Sequence, residues 1–218
     1  MNKELNNLLS TNDKVQKILE DCPYSVLNLI EVIKFKKNEF YLRKGTISPY
    51  VYILVDGLVE IFIENINGRK IVLDIYKPGN FIGEHEIVNK NPFSVSVQSK
   101  SEICLLRISR KDFLKWLDLD RNINNRLLSS LCEQIYRLSN LTEVYSLFST
   151  KEQVCFILLK LKSSTGVIER NQILAGVSSS SRSVDRILRD LKEKKIISNI
   201  NGLIRVLDKK ELKKYKEE

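Results

Sequence analysis

Histidine and cysteine, the residues that most often bind metals or carry covalent catalysis, are scarce in this chain of 218 residues. The only histidine is His85. No two cysteines stand at the short spacing that zinc and iron–sulfur sites use. We therefore expect free, buried thiols and neither a metal nor an iron–sulfur cluster. The cysteines are Cys22, Cys104, Cys132 and Cys155.

Sequence motifs of enzymes are also missing. The chain has no Gly-rich phosphate loop of the P-loop type, no nucleophile elbow and no Cys–His pair placed for covalent catalysis. A metal-dependent barrel enzyme of the cupin type would gather two or three histidines around its metal. These absences predict a protein that is not an enzyme and has no catalytic residues.

Long apolar runs are absent as well. No run reaches the roughly eighteen residues needed to cross a bilayer. The first dozen residues are polar and lack the apolar region of a secretory signal. We therefore expect a soluble, cytoplasmic protein with no membrane partner.

Positive charge is concentrated at one end of the chain. The net charge is +9, and residues 151–218 hold 16 Lys and Arg against 9 Asp and Glu, a net of +7. Such asymmetry favours contact between this end and a polyanion such as nucleic acid. A solvated basic face with no partner explains the charge equally well.

The stretch from about residue 33 to residue 108 reads as short β-strands separated by turns. The pairs Asp56-Gly57 and Asn67-Gly68 stand between β-rich runs, and both pairs tolerate the positive φ of a tight hairpin. Strand runs at intervals of about ten residues are typical of a sandwich or barrel. The sequence predicts an antiparallel β-roll here.

A long helix follows, from about Asp120 to Leu147, after a shorter helix capped by Ser109. Its apolar residues recur at alternating spacings of three and four, as in a coiled-coil seam. We predict that it pairs two subunits, the alternative being an amphipathic helix that lies on its own domain. The predicted dimer interface consists of Leu128, Leu131, Ile135, Leu138, Thr142 and Tyr145.

The C-terminal third is predicted to form three helices, a hairpin and a helical tail. The helices cover Gln153–Lys162, Ile168–Gly176 and a segment that begins after Ser178 or Ser180 and continues through Lys194. The hairpin covers Ile196–Val206 and turns at Asn201-Gly202. This order is that of a winged helix-turn-helix.

The third helix carries the predicted reading surface. Arg182, Arg186 and Arg189 are spaced four and three apart, so they share one face. Arginine pairs bidentately with guanine in the major groove, and free N–H groups at a helix start receive phosphate. Asp185 and Asp190 on the same helix favour the alternative of a solvated face. The predicted DNA-binding residues are Ser180, Ser181, Arg182, Ser183, Arg186 and Arg189, with Arg182 and Arg186 as the base readers.

Over roughly residues 30–207 the chain resembles the Crp/Fnr family of bacterial regulators. The resemblance is carried by Gly45, the hairpins at Gly57 and Gly68, the stretch Lys77-Pro78-Gly79-Asn80-Phe81-Ile82-Gly83-Glu84, Leu106-Arg107-Ile108-Ser109 before a helix, the long helix and the helix-turn-helix. It implies an α+β architecture: an N-terminal β-roll sensor domain (1–119), a dimerisation helix (120–148) and a winged helix-turn-helix domain (149–218). It also implies a homodimer that binds double-stranded DNA, with RNA polymerase as a further partner.

The resemblance places a possible effector pocket at Gly83, Glu84, Phe93 and Ser94. In the family's cyclic-nucleotide sensors a Gly-Glu pair meets the ribose, and an Arg-Ser pair about ten residues later holds the cyclic phosphate. Phe93 stands where that arginine would be, and a buried phosphate without a charge partner is unfavourable. We therefore expect no cyclic nucleotide as effector.

Other effectors of the family are not expected either. An iron–sulfur sensor would carry several N-terminal cysteines, whereas only Cys22 lies there. A haem sensor would need axial ligands such as histidine, and only His85 is available. The effector stays unidentified.

Within the recognition helix, Arg186 aligns with the family's half-site-reading arginine. In the ungapped register the family's common Arg-Glu pair becomes Ser181-Arg182, although the serine run 178–183 leaves that register open. Glutamate accepts from cytosine whereas arginine donates to guanine, so we expect a half-site different from that of the cyclic-AMP receptor. The alternative function is a nucleic-acid or protein-partner module without sequence-specific readout.

Overall fold

The computed structural model describes Leu5, Leu8 and residues 12–66, 70–160 and 166–217. The predicted turn at Asn67-Gly68 lies outside these residues. Internal contacts divide the chain into two compact units: a first unit of 1–68 and 72–136, and a second unit of 137–218 with 69–71. The domain boundaries predicted from the sequence stay a prediction.

The first unit consists mainly of antiparallel sheets flanked by helices, as predicted. One sheet has the strand order β1-β8-β3-β6 and the other the order β2-β7-β4-β5. In chain order the elements up to the long helix are α1 (Asp13–Leu19), α2 (Tyr24–Leu27), β1 (Glu31–Phe35), β2 (Tyr41–Leu42), β3 (Tyr50–Asp56), β4 (Val59–Glu64), β5 (Lys70–Tyr76), β6 (Phe81–Ile82), α3 (Glu84–Asn89), β7 (Ser96–Ser99), β8 (Ile103–Ser109) and α4 (Arg110–Leu119).

Strand β3 is buried on both of its faces, which explains why its sequence is apolar throughout. Val51 and Ile53 point into a core that contains Trp116 of α4. Tyr52 and Leu54 point into a second core, which side chains of both sheets form. Alternate residues of a strand face opposite sides, so helices cover one side of this sheet and the other sheet covers the second.

The turn predicted at Asp56-Gly57 is present and requires glycine. Gly57 has φ +88°, and a Cβ there would lie 2.1 Å from the carbonyl oxygen of Glu102. Both the left-handed backbone and the missing space exclude a side chain. The turn that joins β3 and β4 therefore depends on this residue, but the two strands belong to different sheets, so the predicted hairpin between them was wrong.

The predicted helix cap at Ser109 is confirmed. The Ser109 hydroxyl oxygen accepts from the Asp112 amide at 3.2 Å and caps α4. The long helix α5 spans Arg121–Leu147, and the Asp120 carboxylate before it accepts from the Asn122 amide at 2.8 Å. The other carboxylate oxygen of Asp120 accepts from the Trp116 indole at 3.0 Å. Residue Asp120 thus holds the end of α4 and the start of α5.

The second unit has the order of a winged helix-turn-helix. Its elements after α5 are α6 (Thr150–Lys160), β9 (Ile168–Glu169), α7 (Arg170–Ala175), α8 (Ser181–Glu193), β10 (Ile197–Ile200), β11 (Leu203–Val206) and α9 (Lys209–Glu217). The strands form one sheet of order β10-β11-β9. Asn201 and Gly202 adopt φ +51° and +79° in the predicted hairpin turn.

The sequence prediction of a helix from Ile168 onward was wrong at its start. Ile168 and Glu169 form β9 and pair with Ile204 and Leu203 of β11. Ile168 is buried in the core of the second unit, and Glu169 then caps α7 through a reciprocal capping box with Gln172. The residues that end the predicted helix Gln153–Lys162 lie partly outside the described residues.

The thiols are partly as predicted. Cys22, Cys104 and Cys155 are buried, but the prediction was wrong for Cys132, which is exposed on the outer face of α5. Burial raises the pKa of Cys22 to about 12 and that of Cys155 to about 11, so both stay protonated. In the described ranges, no three His, Cys, Asp or Glu side chains cluster as metal ligands would, and no helix there combines the length and hydropathy of a membrane span.

Candidate nucleic-acid interface and effector site

Helix α8 begins at a serine cap. Of the two serines that the sequence left open as caps, Ser180 takes the role: its hydroxyl oxygen accepts from the Ser183 amide at 3.2 Å. The hydroxyl groups of Ser180 and Ser183 also lie 3.0 Å apart. Both side chains are therefore engaged with each other at the helix start, whereas Ser181 is exposed.

One face of α8 is apolar and fixes the helix to its unit. Four side chains of this face are buried in the core of the second unit: Val184, Ile187, Leu188 and Leu191. The opposite face exposes Arg182, Arg186 and Arg189. The structure thus brings the three predicted arginines together on one solvent-facing side of a firmly seated helix.

The two acidic residues of α8 have partners of their own. Asp185 forms a bidentate ion pair with Arg170 at the start of α7, with N–O distances of 2.7 and 2.8 Å. This pair lowers the pKa of Asp185 below its usual value and raises that of Arg170. Asp190 accepts from the Tyr215 hydroxyl of α9 and lies 3.7 Å from the Lys194 ammonium group.

The arginine face of α8, formed by Arg182, Arg186 and Arg189, consequently keeps its positive charge. Within the described ranges, no carboxylate oxygen lies within 4.0 Å of the guanidinium groups of Arg182, Arg186 or Arg189. An acid-neutralised surface was the alternative that the sequence left open. The pairing of Asp185 and Asp190 with other side chains weakens that alternative.

Gln153 was missed by the sequence analysis, although it supports the turn before α8. Its side-chain oxygen accepts from both the amide and the hydroxyl of Ser178, at 2.8 and 3.0 Å. Its side-chain nitrogen donates to the Phe148 carbonyl at 2.9 Å. The signal available in the sequence is a lone glutamine within the apolar run of α6.

The predicted seam on α5 is mostly exposed. Leu128, Ile135 and Leu138 are 62%, 64% and 45% exposed, which is unusual for large aliphatic side chains along one helix. Thr142 is exposed and its hydroxyl donates to the Leu138 carbonyl. Leu131 differs, because it packs partly against the core of the first unit.

Tyr145, the last predicted seam residue, is half-buried, and burial raises its pKa. The other side of α5 contributes Ile123 and Leu127 to the core of the first unit. The helix thus has one face packed within its own chain and an apolar stripe facing solvent.

At the predicted effector pocket, Phe93 is buried and packs against the backbone of Gly83. Gly83 has φ +85°, and a Cβ there would lie 3.4 Å from the Phe93 ring and 3.2 Å from the Tyr50 carbonyl oxygen. The ring thus occupies the space beside Gly83. Phe93 also fixes the neighbouring loop, because its amide donates to the Thr46 carbonyl and its carbonyl accepts from the Gly45 amide.

The residues after Gly83 form the short helix α3. The buried Glu84 accepts from the Gln134 side chain of α5 at 3.1 Å. Glu86 accepts from the amide and the hydroxyl of Ser94, each at 3.2 Å. All four predicted pocket residues therefore lie close to this helix.

His85 stands between these two carboxylates. Its Nε2 lies 2.8 Å from Glu86 and its Nδ1 lies 3.7 Å from Glu84. The Glu84 carboxylate, followed by that of Glu86, raises the pKa of His85 to about 10 against the smaller opposing effect of burial. Burial would raise the pKa of Glu86, but His85 and the Ser94 amide outweigh it and lower that pKa.

This site does not fit a cyclic nucleotide. A cyclic phosphate needs a cation or several donors at the position that Phe93 fills. The neighbouring ionisable groups are two buried carboxylates and a histidine that is already paired with them. The residues therefore form a cluster with the Phe93 ring packed beside it, although the buried Oε2 atom of Glu86 has no hydrogen-bond partner in the described part of the chain.

Comparisons of the chain with known proteins agree with this fold. The family model of the cyclic nucleotide-binding domain matches residues 32–120. A cyclic AMP receptor protein of Thermus thermophilus is 22% identical over 167 residues, which cover 75% of this chain and 77% of that protein. The anaerobic regulatory protein of Bacillus subtilis is 23% identical over 205 residues, covering 88% and 86%.

A further relative matches a shorter stretch of the chain. The regulatory subunit of a cAMP-dependent protein kinase from Emericella nidulans is 27% identical over 101 residues. These residues are 46% of this chain and only 24% of that protein, so the chain spans about a quarter of this relative.

Solved structures match the fold over most of the chain. A protein from Eubacterium rectale, described as a transcriptional regulator of the Crp/Fnr family, has a TM-score of 0.76 at 16% identity and covers 92% of this chain and 98% of its own. A Crp/Fnr-family regulator from Thermus thermophilus has a TM-score of 0.70 at 21% identity, covering 86% and 99%. At these identities the likeness establishes the fold.

Proposed function

We propose that the chain, which matches the cyclic nucleotide-binding domain family and shares the fold of Crp/Fnr regulators, is a sequence-specific DNA-binding regulator of that family and acts as a homodimer. The observation that carries the proposal is the exposed, unneutralised arginine face of α8. An apolar back face seats this helix, and the Ser180 cap and the Gln153 contact fix its start. A rigid helix with outward arginines suits the major groove.

The roles of the residues follow from their positions on α8. Arg182 and Arg186 are the base readers, because they stand in the first turns of the helix, which enter the groove. Ser181 and Arg189 contact phosphates or base edges. Ser180 and Ser183 act through the helix start that their hydroxyl groups organise.

Two subunits are needed for a two-fold operator. The exposed apolar stripe of Leu128, Ile135 and Leu138 supports pairing through α5, since burying such side chains in a seam is favourable. The two copies of α8 then read half-sites about 34–36 Å apart, one turn of B-DNA. RNA polymerase as a partner and action in the cytoplasm belong to the same proposal.

A second part of the proposal concerns the effector, and it excludes cyclic AMP from the predicted pocket in the β-roll. Because Phe93 packs against Gly83 and the nearby carboxylates are paired, we propose that cyclic AMP does not bind there. The half-site is proposed to differ from that of the cyclic-AMP receptor, since Arg182 stands where the family commonly has glutamate.

The experiment compares the affinity of the full-length protein for a selected duplex and for a scrambled duplex over a range of salt concentrations. A specific regulator prefers its own site by at least ~10³ at physiological salt. Equal affinity for both duplexes, with the same steep salt dependence, would instead favour a binder that reads only the backbone.

A further inference from the structure

A basic cleft lies in the first unit, apart from the predicted pocket at Phe93. It has a volume of about 600 Å³ and is lined by α1, by the turn between β5 and β6, and by the first half of α5. Small-molecule sites have roughly 300–1,000 Å³, so this cleft has the size to hold a metabolite.

The charges of the cleft are of one sign, apart from one carboxylate. Four cations line it: Lys14 and Lys17 of α1, Lys77 of the turn and Arg126 of α5. In the part of the chain that the structure describes, none of these four has a carboxylate oxygen within 4.0 Å. Like charges that share a cleft repel one another, and the attraction of each cation to a bound anion offsets that repulsion.

The cations stand on supports that the fold holds in place. Asn12 caps α1 and donates from its side chain to the Val55 carbonyl at 2.6 Å, which anchors the helix to β3. Gly79 packs against α1: a Cβ on it would lie 3.6 Å from the stem of Lys14. The cleft wall formed by α1 is thus pre-formed.

The turn that carries Lys77 is also closed by hydrogen bonds. The Lys77 amide donates to the Asn80 side-chain oxygen at 2.9 Å, and the Asn80 amide donates back to the Lys77 carbonyl at 3.1 Å. Gly79 and Asn80 pair with the backbone of Leu54 in β3. Because the side-chain oxygen of Asn80 is used within the turn, its NH₂ group is the part that can donate to a ligand.

Helix α5 supplies the third wall. Arg126, Ser129 and Ser130, and Glu133 follow one another at spacings of three and four, so they share one face. A guanidinium fork, three ammonium groups and two hydroxyl groups form a donor set that suits phosphate oxygens. Ile18 and Phe81 provide an apolar floor.

We propose that this cleft binds a small phosphorylated molecule that carries at least two negative charges. The inference goes beyond the proposed function, because the site involves neither the α8 arginines nor the position of Phe93. Its wall on α5 also lies on the helix that exposes the apolar stripe, which places the ligand beside the predicted dimer seam.

The test is calorimetric titration of the full-length protein with inorganic pyrophosphate at low ionic strength. We expect saturable binding of one pyrophosphate per chain. The double variant Lys14→Gln/Arg126→Gln should weaken this binding at least about tenfold, since it removes two of the four cations that line the cleft. Pyrophosphate should also raise the melting temperature of the parent protein and not that of the variant.

The matched control is Lys37→Gln/Lys111→Gln, which removes the same charge from exposed positions of the first unit outside the cleft and should leave binding within about twofold. Arg186→Ala should also leave it unchanged, which separates this site from DNA binding. The proposal is overturned if pyrophosphate gives no saturable heat, if the cleft variant binds it as the parent does, or if Arg186→Ala abolishes binding. Operator binding is measured separately with the same variants.

Discussion

The arginine face of α8 and the cluster around α3 differ in where their charged groups lie, exposed on α8 and buried at α3. On α8 the guanidinium groups face solvent, and the acids beside them are paired elsewhere, with Arg170 and Tyr215. At α3 the carboxylates of Glu84 and Glu86 are buried, and His85, Gln134 and Ser94 contact them from within the chain, leaving only the Glu86 Oε2 atom without a hydrogen-bond partner among the described side chains of this cluster.

The difference shows where this chain can meet a charged partner. An exposed unpaired cation gains when a polyanion arrives, whereas a buried charge that already has its partners gains nothing from a ligand. The exposed arginines of α8 are therefore available to a polyanion, whereas at α3 the Phe93 ring fills the space beside Gly83. The following substitutions test both halves of this contrast.

The largest effect is expected at Phe93. Phe93→Ala removes a buried ring that packs on Gly83 and should lower the free energy of unfolding of the first unit by about 3–5 kcal/mol. Urea unfolding followed by the fluorescence of Trp116 measures it, because the chain's single tryptophan is buried in that unit.

The matched control for that substitution is Tyr24→Ala, which removes an exposed aromatic ring in the same unit and should change stability by less than about 0.5 kcal/mol. A Phe93→Ala variant as stable as the parent would show that the ring does not fill the site. Cyclic AMP should bind neither protein.

Arg186→Ala tests the open surface. It should weaken operator binding by about 1–3 kcal/mol and relax the base preference at one position of each half-site. Competition assays with single-base operator variants measure both changes. Lys192→Ala, an exposed cation later in the same helix, should weaken binding to all sequences alike. Unchanged operator binding by Arg186→Ala would remove this residue from the readout.

Gln153→Leu tests the support behind that surface. It removes the acceptor of the Ser178 amide and should destabilise the second unit by about 1–3 kcal/mol, because the N–H group loses its partner. Hydrogen exchange of the α8 amides should become faster. Ser178→Ala keeps the hydrogen bond from the amide of residue 178 to Gln153 and should therefore destabilise the unit less. Equal destabilisation by the two substitutions would contradict the role of Gln153.

The smallest effect is expected from His85. Its folded pKa of about 10 exceeds the usual 6.5, so it stabilises the folded protein fully below pH 6.5 and less as pH rises toward 10. His85→Gln should remove the contribution of this group to the fall in the free energy of unfolding as pH rises from 6.5 to 8.5. The side chain is 37% exposed, so solvent screening keeps the effect small. Parallel pH profiles of parent and variant would contradict the pairing.

Local patterns in the sequence were sufficient for most elements of both units, although not for β9. The turn at Asp56-Gly57, the cap at Ser109 and the turn at Asn201-Gly202 depend on residues adjacent in the chain, and all are present, although β3 and β4 do not pair as a hairpin. The arginine face of α8 was also predictable, because helical spacing alone determines which side chains share a face.

What the sequence could not reveal depends on contacts between distant residues. Arg170 and Asp185 pair across 15 positions, Ser178 and Gln153 across 25, and Glu84 and Gln134 across 50. The exposure of Cys132 and the inward packing of Leu131 likewise depend on how α5 lies on its own unit. Periodicity gives the faces of a helix but not which neighbours cover them.

Selection of binding sites by the full-length protein from a pool of random duplexes tests the central claim most directly. The account predicts an enriched two-fold site whose half-sites lie about 34–36 Å apart, with a sequence different from the cyclic-AMP receptor's consensus. A pool that stays random, or one enriched only for a single unpaired half-site, would contradict it.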